Sequence, residues 1–157
     1  MDKSTVFAND KKHGLYREYF KGARIIKEIQ YKNDIEDGHR IIYFKNAGLQ
    51  EEGDFKDGLR EGISVWYYQN GKKAVTYTYK NGEMHGQAIF YNDKEQITEM
   101  GNYKNGEKDG LWKEYDENGN LIAEGNYNIG KKNGLWKYFE ADGKIKQKIS
   151  YKEDVAQ

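Results

Sequence analysis

Acid–base chemistry in this chain would have to come from His13, His39 and His85 and from its carboxylates. The three histidines fall in different repeats of a pattern described below, with no cysteine and no carboxylate cluster at ligand spacing beside them. A zinc-type centre needs several such ligands converging on one point, so these read as surface histidines. Glu51-Glu52, Glu114 and Asp116 could stand roughly 5–10 Å apart, as the paired acids of a glycosidase do. Such a pair works only where an enclosing pocket raises one pKa, and a solvated face explains these carboxylates better. No Ser/His/Asp set emerges, and the glycines recur at turn spacing instead of forming a phosphate-cradling loop. The residues predict no enzyme, no cofactor and no metal.

The chain is rich instead in aromatic surface, at 15% of its 157 residues. Thirteen rings stand at an unbroken spacing of twelve: Phe7, Tyr19, Tyr31, Tyr43, Phe55, Tyr67, Tyr79, Tyr91, Tyr103, Tyr115, Tyr127, Phe139 and Tyr151. A spacing held so long reflects one structural unit repeated. Gly14, Gly38, Gly62, Gly86, Gly110 and Gly134 double the period, each 24 residues from the next and each followed five residues later by a ring. The repeat is therefore 24 residues with two ladder rungs.

From each marker glycine the sequence reads as a short strand: Leu15 to Phe20, His39 to Phe44, Ile63 to Tyr68, Gln87 to Tyr91, Leu111 to Tyr115 and Leu135 to Phe139. Asn70-Gly71, Asn118-Gly119 and Asp142-Gly143 then supply the positive φ of a hairpin turn. Gly22-Ala23 and Asn46-Ala47-Gly48 fill that place more loosely, and Lys94-Glu95 lacks the signature. A second strand follows, as in Leu121 to Tyr127, and Asp57-Gly58, Asn81-Gly82, Asn105-Gly106 and Ile129-Gly130 turn the chain at the other edge. No helical period is sustained between the turns. The expected fold is all-β: an elongated single-sheet antiparallel meander of about six 24-residue β-hairpin repeats in a twisted solenoid, with about thirteen strands. Residues 1–157 read as a single domain, a half repeat over 1–13 followed by the six marker-glycine repeats.

The second strand is one-sided, with its rung on the apolar side. If both turns of a repeat contain an odd number of loop residues, all thirteen rungs share one face as a structural ladder, and the marker glycines leave room for rings to cross the backbone. Off that face stand Phe20, Phe44, Trp66, Tyr68, Phe90, Trp112, Trp136 and Tyr138, with no second layer to cover them. Exposed aromatic area of that extent predicts a partner-binding surface or a surface for self-association.

Lys plus Arg and Asp plus Glu total 26 each, giving a formal net charge of zero with the signs interleaved. A nucleic-acid binder would concentrate a positive stripe, so none is expected. The apolar runs are too short for a transmembrane segment, and residues 1–10 lack the apolar middle of a signal peptide. The ladder begins at Phe7, halfway through a repeat, so the expectation is that something upstream has been cut away. The compartment reads as cytoplasmic by default, or as exported if the missing segment was a leader.

The stretch from Tyr103 to Gly119, through Gly110, Trp112, Tyr115 and Asn118-Gly119, resembles the bacterial variant of the MORN repeat. Tyr127 to Gly143 repeats it, with Gly134, Trp136, Phe139 and Asp142-Gly143 in register. The triplets Gly53-Asp54-Phe55, Gly101-Asn102-Tyr103 and Gly125-Asn126-Tyr127 carry the same likeness. At the tryptophan position, earlier repeats hold Tyr16, Arg40, Ser64 and Ala88. The resemblance implies a scaffold, and proteins built of this variant alone are often assigned to the YwqK-like antitoxin family. It therefore implies a protein partner, such as a toxin, bound without catalysis. A rival resemblance is to glycan- or cell-wall-binding repeat modules, which carry more tryptophan at a shorter period.

Overall fold

The computed structural model describes residues 2–21 and 23–157. Among them are sixteen strands and no helix: β1 (Asp2–Ser4), β2 (Phe7–Ala8), β3 (Lys11–Lys12), β4 (Gly14–Phe20), β5 (Arg24–Lys32), β6 (Ile35–Tyr43), β7 (Leu49–Lys56), β8 (Leu59–Tyr67), β9 (Lys73–Lys80), β10 (Glu83–Tyr91), β11 (Ile97–Lys104), β12 (Glu107–Tyr115), β13 (Leu121–Asn128), β14 (Lys131–Phe139), β15 (Ile145–Lys152) and β16 (Val155–Ala156). Fourteen of them form one sheet in chain order, and β2 and β3 pair only with each other. The fold is the expected all-β meander of hairpins. Strands exceed thirteen because the first rung strand is split into β1 and β2, β3 is parted from β4 at His13, and β16 is added. Backbone packing groups the chain into two units: Met1–Lys73 with Tyr79–Glu83, and Ala74–Thr78 with Met84–Gln157.

The linking edge uses two-residue turns whose central residues both have positive φ, as at Asp57 (50°) and Gly58 (82°) or Asn105 (52°) and Gly106 (83°). This is the type I′ geometry that matches strand twist. Each turn also bonds to the start of the strand that follows the preceding linking turn: Gly58 N–H donates to the Glu36 carbonyl at 2.8 Å in the first unit, and Gly130 N–H to the Lys108 carbonyl at 3.0 Å in the second. The hairpin edge uses a longer loop with one residue in the left-handed region, at Ala47, Gly71, Glu95, Gly119 and Gly143. Lys94-Glu95 therefore keeps the turn despite lacking glycine, and the Asn92 carboxamide oxygen holds it by accepting from the N–H groups of Lys94 and Gln96, both at 3.0 Å. The Gly22-Ala23 turn lies partly outside the described residues, since Gly22 is not among them.

Contrary to expectation, the rungs do not share one face. Phe55 pairs with Gly38 while Tyr43 pairs with Leu49, and alternation from Gly38 to Tyr43 places these two rungs on opposite sides. In the first unit Tyr19, Tyr43 and Tyr67 stand on what we call the outer face, and Tyr31 and Phe55 on the inner face. In the second unit Tyr91 and Tyr115 are outer, and Tyr103, Tyr127 and Tyr151 inner. The reason is parity. At the hairpin edge a bulge shifts the register between Ile42 and Tyr43, so the Ile42–Glu51 pair encloses an even number of residues. At the linking edge the two-residue turn is even, and so is the two-residue bulge that separates the Asp54–Glu61 and Gly53–Ser64 pairs.

That second bulge contains the marker glycine. β4 begins at its marker Gly14, but each later first strand starts before the marker, and Gly62, Gly110 and Gly134 take φ values of 75°, 72° and 78° in mid-strand. Nothing lies within 4 Å of where their Cβ atoms would be, so these glycines supply a backbone conformation and no ring lies across them.

Candidate functional site

The residues buried in each unit form a row across the inner face. In the first unit cross-strand pairs run Tyr16, Ile29, Arg40, Gly53, Ser64; in the second, Ala88 pairs with Gly101, Trp112 with Gly125 and Trp136 with Ile149. Trp112 and Trp136 are fully buried. The indole of Trp136 lies on Gly125, where an added Cβ would fall inside the ring, and Trp112 lies on Gly101 in the same way. Each indole N–H donates to the carbonyl after its glycine, Asn102 and Asn126, at 3.1 Å. Each also meets the third residue of the triplet edge-on, Tyr103 at 5.3 Å and Tyr127 at 5.2 Å between ring centroids. The Gly-Asn-Tyr triplets are thus seats for tryptophan: room, an acceptor and a ring wall.

Cations complete the layers. Lys108 Nζ sits 4.0 Å from the Trp112 ring centroid and Lys132 Nζ 3.9 Å from that of Trp136. In the first unit, where Arg40 and Ser64 take the row positions that Trp112 and Trp136 hold in the second, guanidinium groups cover the rings: Arg40 and Arg60 each stand 4.9 Å from the Phe55 centroid, and Arg60 5.0 Å from that of Trp66. Both arginines donate to Glu51, whose side chain is only 13% exposed, and Arg60 donates also to the buried Ser64 hydroxyl at 3.1 Å.

These positions correct the expected binding surface. Trp112 and Trp136 share their face with Tyr103, Tyr127 and Tyr151 and are core. Trp66 packs on Tyr79, Phe90 on Tyr77 and Trp112, and Tyr138 on Trp136, with its hydroxyl 3.1 Å from that of Tyr151. Tyr68 is half-buried beside its hairpin turn. Phe20 and Phe44 differ from the others. With Ile26, Ile42 and Tyr43 they line an open depression of about 740 Å³ in the first unit, edged by Glu18, Lys27, Lys45, Asn46, Gln50 and Gln69. Lys21 stands 5.6 Å from the Phe20 ring centroid, and Arg24 donates to the Lys45 carbonyl.

The outer face carries a polar network that sequence reasoning missed. Tyr43 donates to Glu28 at 3.0 Å, Tyr67 donates to Glu52, and Arg17 pairs with Glu28 at 2.9 Å. His39 Nδ1 lies 2.8 Å from Asp54 and its Nε2 3.8 Å from Glu52. Burial first, and then the bond to Glu52, push the Tyr67 phenol up to about 12. The signal was present as an acid fifteen residues before each of these tyrosines, but it is meaningful only once the rungs are known to alternate. Among the described residues no group of three or more His, Cys, Asp or Glu is placed to hold a metal ion.

The MORN repeat variant matches at residues 60–81, 108–128 and 132–153. The last two segments contain the tryptophan layers, and the first begins at Arg60. The MORN-repeat character read from the sequence is therefore supported at these places, and repeats of this kind suggest a binding scaffold. No curated protein matches the chain in sequence. Among solved structures, TarM is similar at 8% identity over 97% of this chain and 21% of that one, with a TM-score of 0.33. A mutant of S. aureus TarM, in complex with fondaparinux, alpha-GlcNAc-glycerol and UDP, is similar at 11% identity over 72% of this chain and 19% of that one, with a TM-score of 0.32. The chain thus spans about a fifth of the length of these proteins.

Proposed function

We propose that this protein is a non-enzymatic scaffold that binds another protein through the depression formed by Phe20 and Phe44. The observation that carries this reading is that these two rings line an open apolar hollow, whereas Trp66, Phe90, Trp112, Trp136 and Tyr138 pack against other rings. Apolar anchors entering such hollows dominate protein interfaces. The alternative, a glycan- or cell-wall-binding module, has less support: the indoles that would stack best on sugar faces, Trp112 and Trp136, are buried. An antitoxin-like role is the particular form of the reading that the resemblance favours.

A photoreactive phenylalanine analogue at position 44, introduced in the native host, tests the proposal. One protein should be captured from position 44 and not from position 63, where Ile63 is 62% exposed on the outer face. Equal labelling from both positions, or none from either, would overturn it. An antitoxin-like role further requires that the captured protein arrest growth alone and that co-expression of this chain restore it.

A further inference from the structure

The hairpin edge does not need phenylalanine. At the position of Phe20 and Phe44 the fourth and fifth repeats hold Asn92 and Asp116. The Asn92 side chain accepts two backbone N–H groups of its own turn, and Asp116 does the same with Asn118 at 2.8 Å and Asn120 at 2.9 Å. A phenyl ring forgoes those bonds, which tie the loop as a cap ties a helix end. In the second repeat the turn falls back on Asn46, whose side chain accepts from Gly48 N–H at 3.2 Å. The first two repeats thus trade turn stabilisation for rings that line a hollow.

The charges beside those rings differ in the same way. Lys21 and Lys45 follow the two phenylalanines, where later repeats have Gln69, Asp93, Glu117 and Ala141. Lys27 adds to the basic rim, Lys21 and Arg24 line an adjoining depression that shares Phe20, and Glu18 is the acid that lines the hollow. Glu18 accepts from the Tyr16 hydroxyl at 3.2 Å. Among the described residues, Lys21, Arg24, Lys27 and Lys45 form no ion pair with a carboxylate. In a chain whose charges sum to zero overall, this leaves a local positive field around an apolar floor. Asn46, Gln50 and Gln69 add exposed carboxamides, each able to donate to a peptide carbonyl and accept from a peptide N–H. An acyl chain has nothing for them to bind.

Resting on the scaffold reading above, we infer that the partner presents an acidic polypeptide segment with a bulky apolar side chain, which enters between Phe20 and Phe44 while its flanking carboxylates meet Lys21, Arg24, Lys27 and Lys45. The probe is a short labelled peptide with leucine and phenylalanine between runs of aspartate, titrated against the full chain by fluorescence anisotropy. Its affinity should exceed by roughly tenfold or more that of the same peptide with glycine for the two apolar residues, or with lysine for the aspartates, and should fall with added salt.

Phe44→Ser should lose roughly tenfold in affinity with an unchanged circular-dichroism spectrum. Lys27→Glu with Lys45→Glu leaves the floor intact and should reverse the preference, so that the lysine peptide binds better. Equal binding of all three peptides, absence of binding, or Phe44-dependent sedimentation with phosphatidylglycerol vesicles in place of peptide binding would overturn the inference. If position 44 cross-links to a host protein through a segment without acidic residues, the inference fails and the scaffold reading stands. If the peptides behave as expected and no host protein is captured, the scaffold reading fails and the acidic-segment preference stands.

Discussion

A glycine and a tryptophan eleven residues apart, on neighbouring strands, act as one group: Gly125 beneath Trp136, and Gly101 beneath Trp112. Trp136→Ala should cost about 3–5 kcal/mol by emptying a fully buried site. Gly125→Ala should cost about 1–3 kcal/mol or more by driving a methyl group into the indole. The two changes should not add: in a Trp136→Ala background Gly125→Ala becomes nearly neutral, a coupling of about 1–3 kcal/mol readable by denaturant melts of the four proteins. This pairing was invisible in the chain as letters, because a tryptophan looks exposed until the residue beneath it is known to be glycine. Tyr67 makes a second residue-scale prediction. Its folded-state pKa of about 12 lies above the ordinary 10.0, so its protonated form stabilises the fold fully below pH 10 and that contribution is lost as pH rises through about 12. Tyr127, raised to about 12 chiefly by burial and then by Glu114 and Glu99, acts in the same direction. Alkaline titration should therefore show tyrosinate absorbance lagging a free-tyrosine curve, with the lag reduced in Tyr67→Phe.

At the scale of the element, the turns show where local sequence and local geometry disagree. Ala47 (φ 72°) and Glu95 (φ 67°) occupy left-handed positions that Gly71, Gly119 and Gly143 fill without strain. Ala47→Gly and Glu95→Gly should each stabilise by about 1 kcal/mol in thermal melts, and Gly119→Ala should destabilise by a similar amount. Ile129 is a sharper case, a β-branched residue at φ 50° and 72% exposed, at the turn position where other repeats carry Asp57, Asn81 or Asn105. Ile129→Asn should raise stability by about 1 kcal/mol for the same reason. The period, the hairpins and most turn sites were legible from glycine and aromatic spacing. The faces were not, because parity depends on bulges. The bulge at Gly62 adds two residues between the Asp54–Glu61 and Gly53–Ser64 pairs without disturbing the spacing of twelve that reveals the repeat.

Across the whole molecule the two units have unlike cores. The second holds Trp112, Trp136, Ala88 and Ala123 as its buried apolar residues, whereas the first has Tyr16 and Ile29 with an Arg40–Glu51–Arg60 cluster completing the row. Buried ion clusters stabilise less than packed rings of similar volume. Native-state hydrogen exchange should accordingly find slower amides in β12–β14 than in β6–β8, and uniform protection across both would contradict this account. The stacked two-residue turns have a further consequence, for ancestry. Because Gly58 bonds to Glu36 and Gly130 to Lys108 by the same rule, a segment of 24 codons added or lost at any turn leaves every neighbouring turn bonded as before. A single-codon change within a strand reverses which side chains face inward from that point to the next turn. Recombination between misaligned copies of the gene is therefore tolerated only in whole repeats, so that relatives should differ in length by multiples of 24 residues.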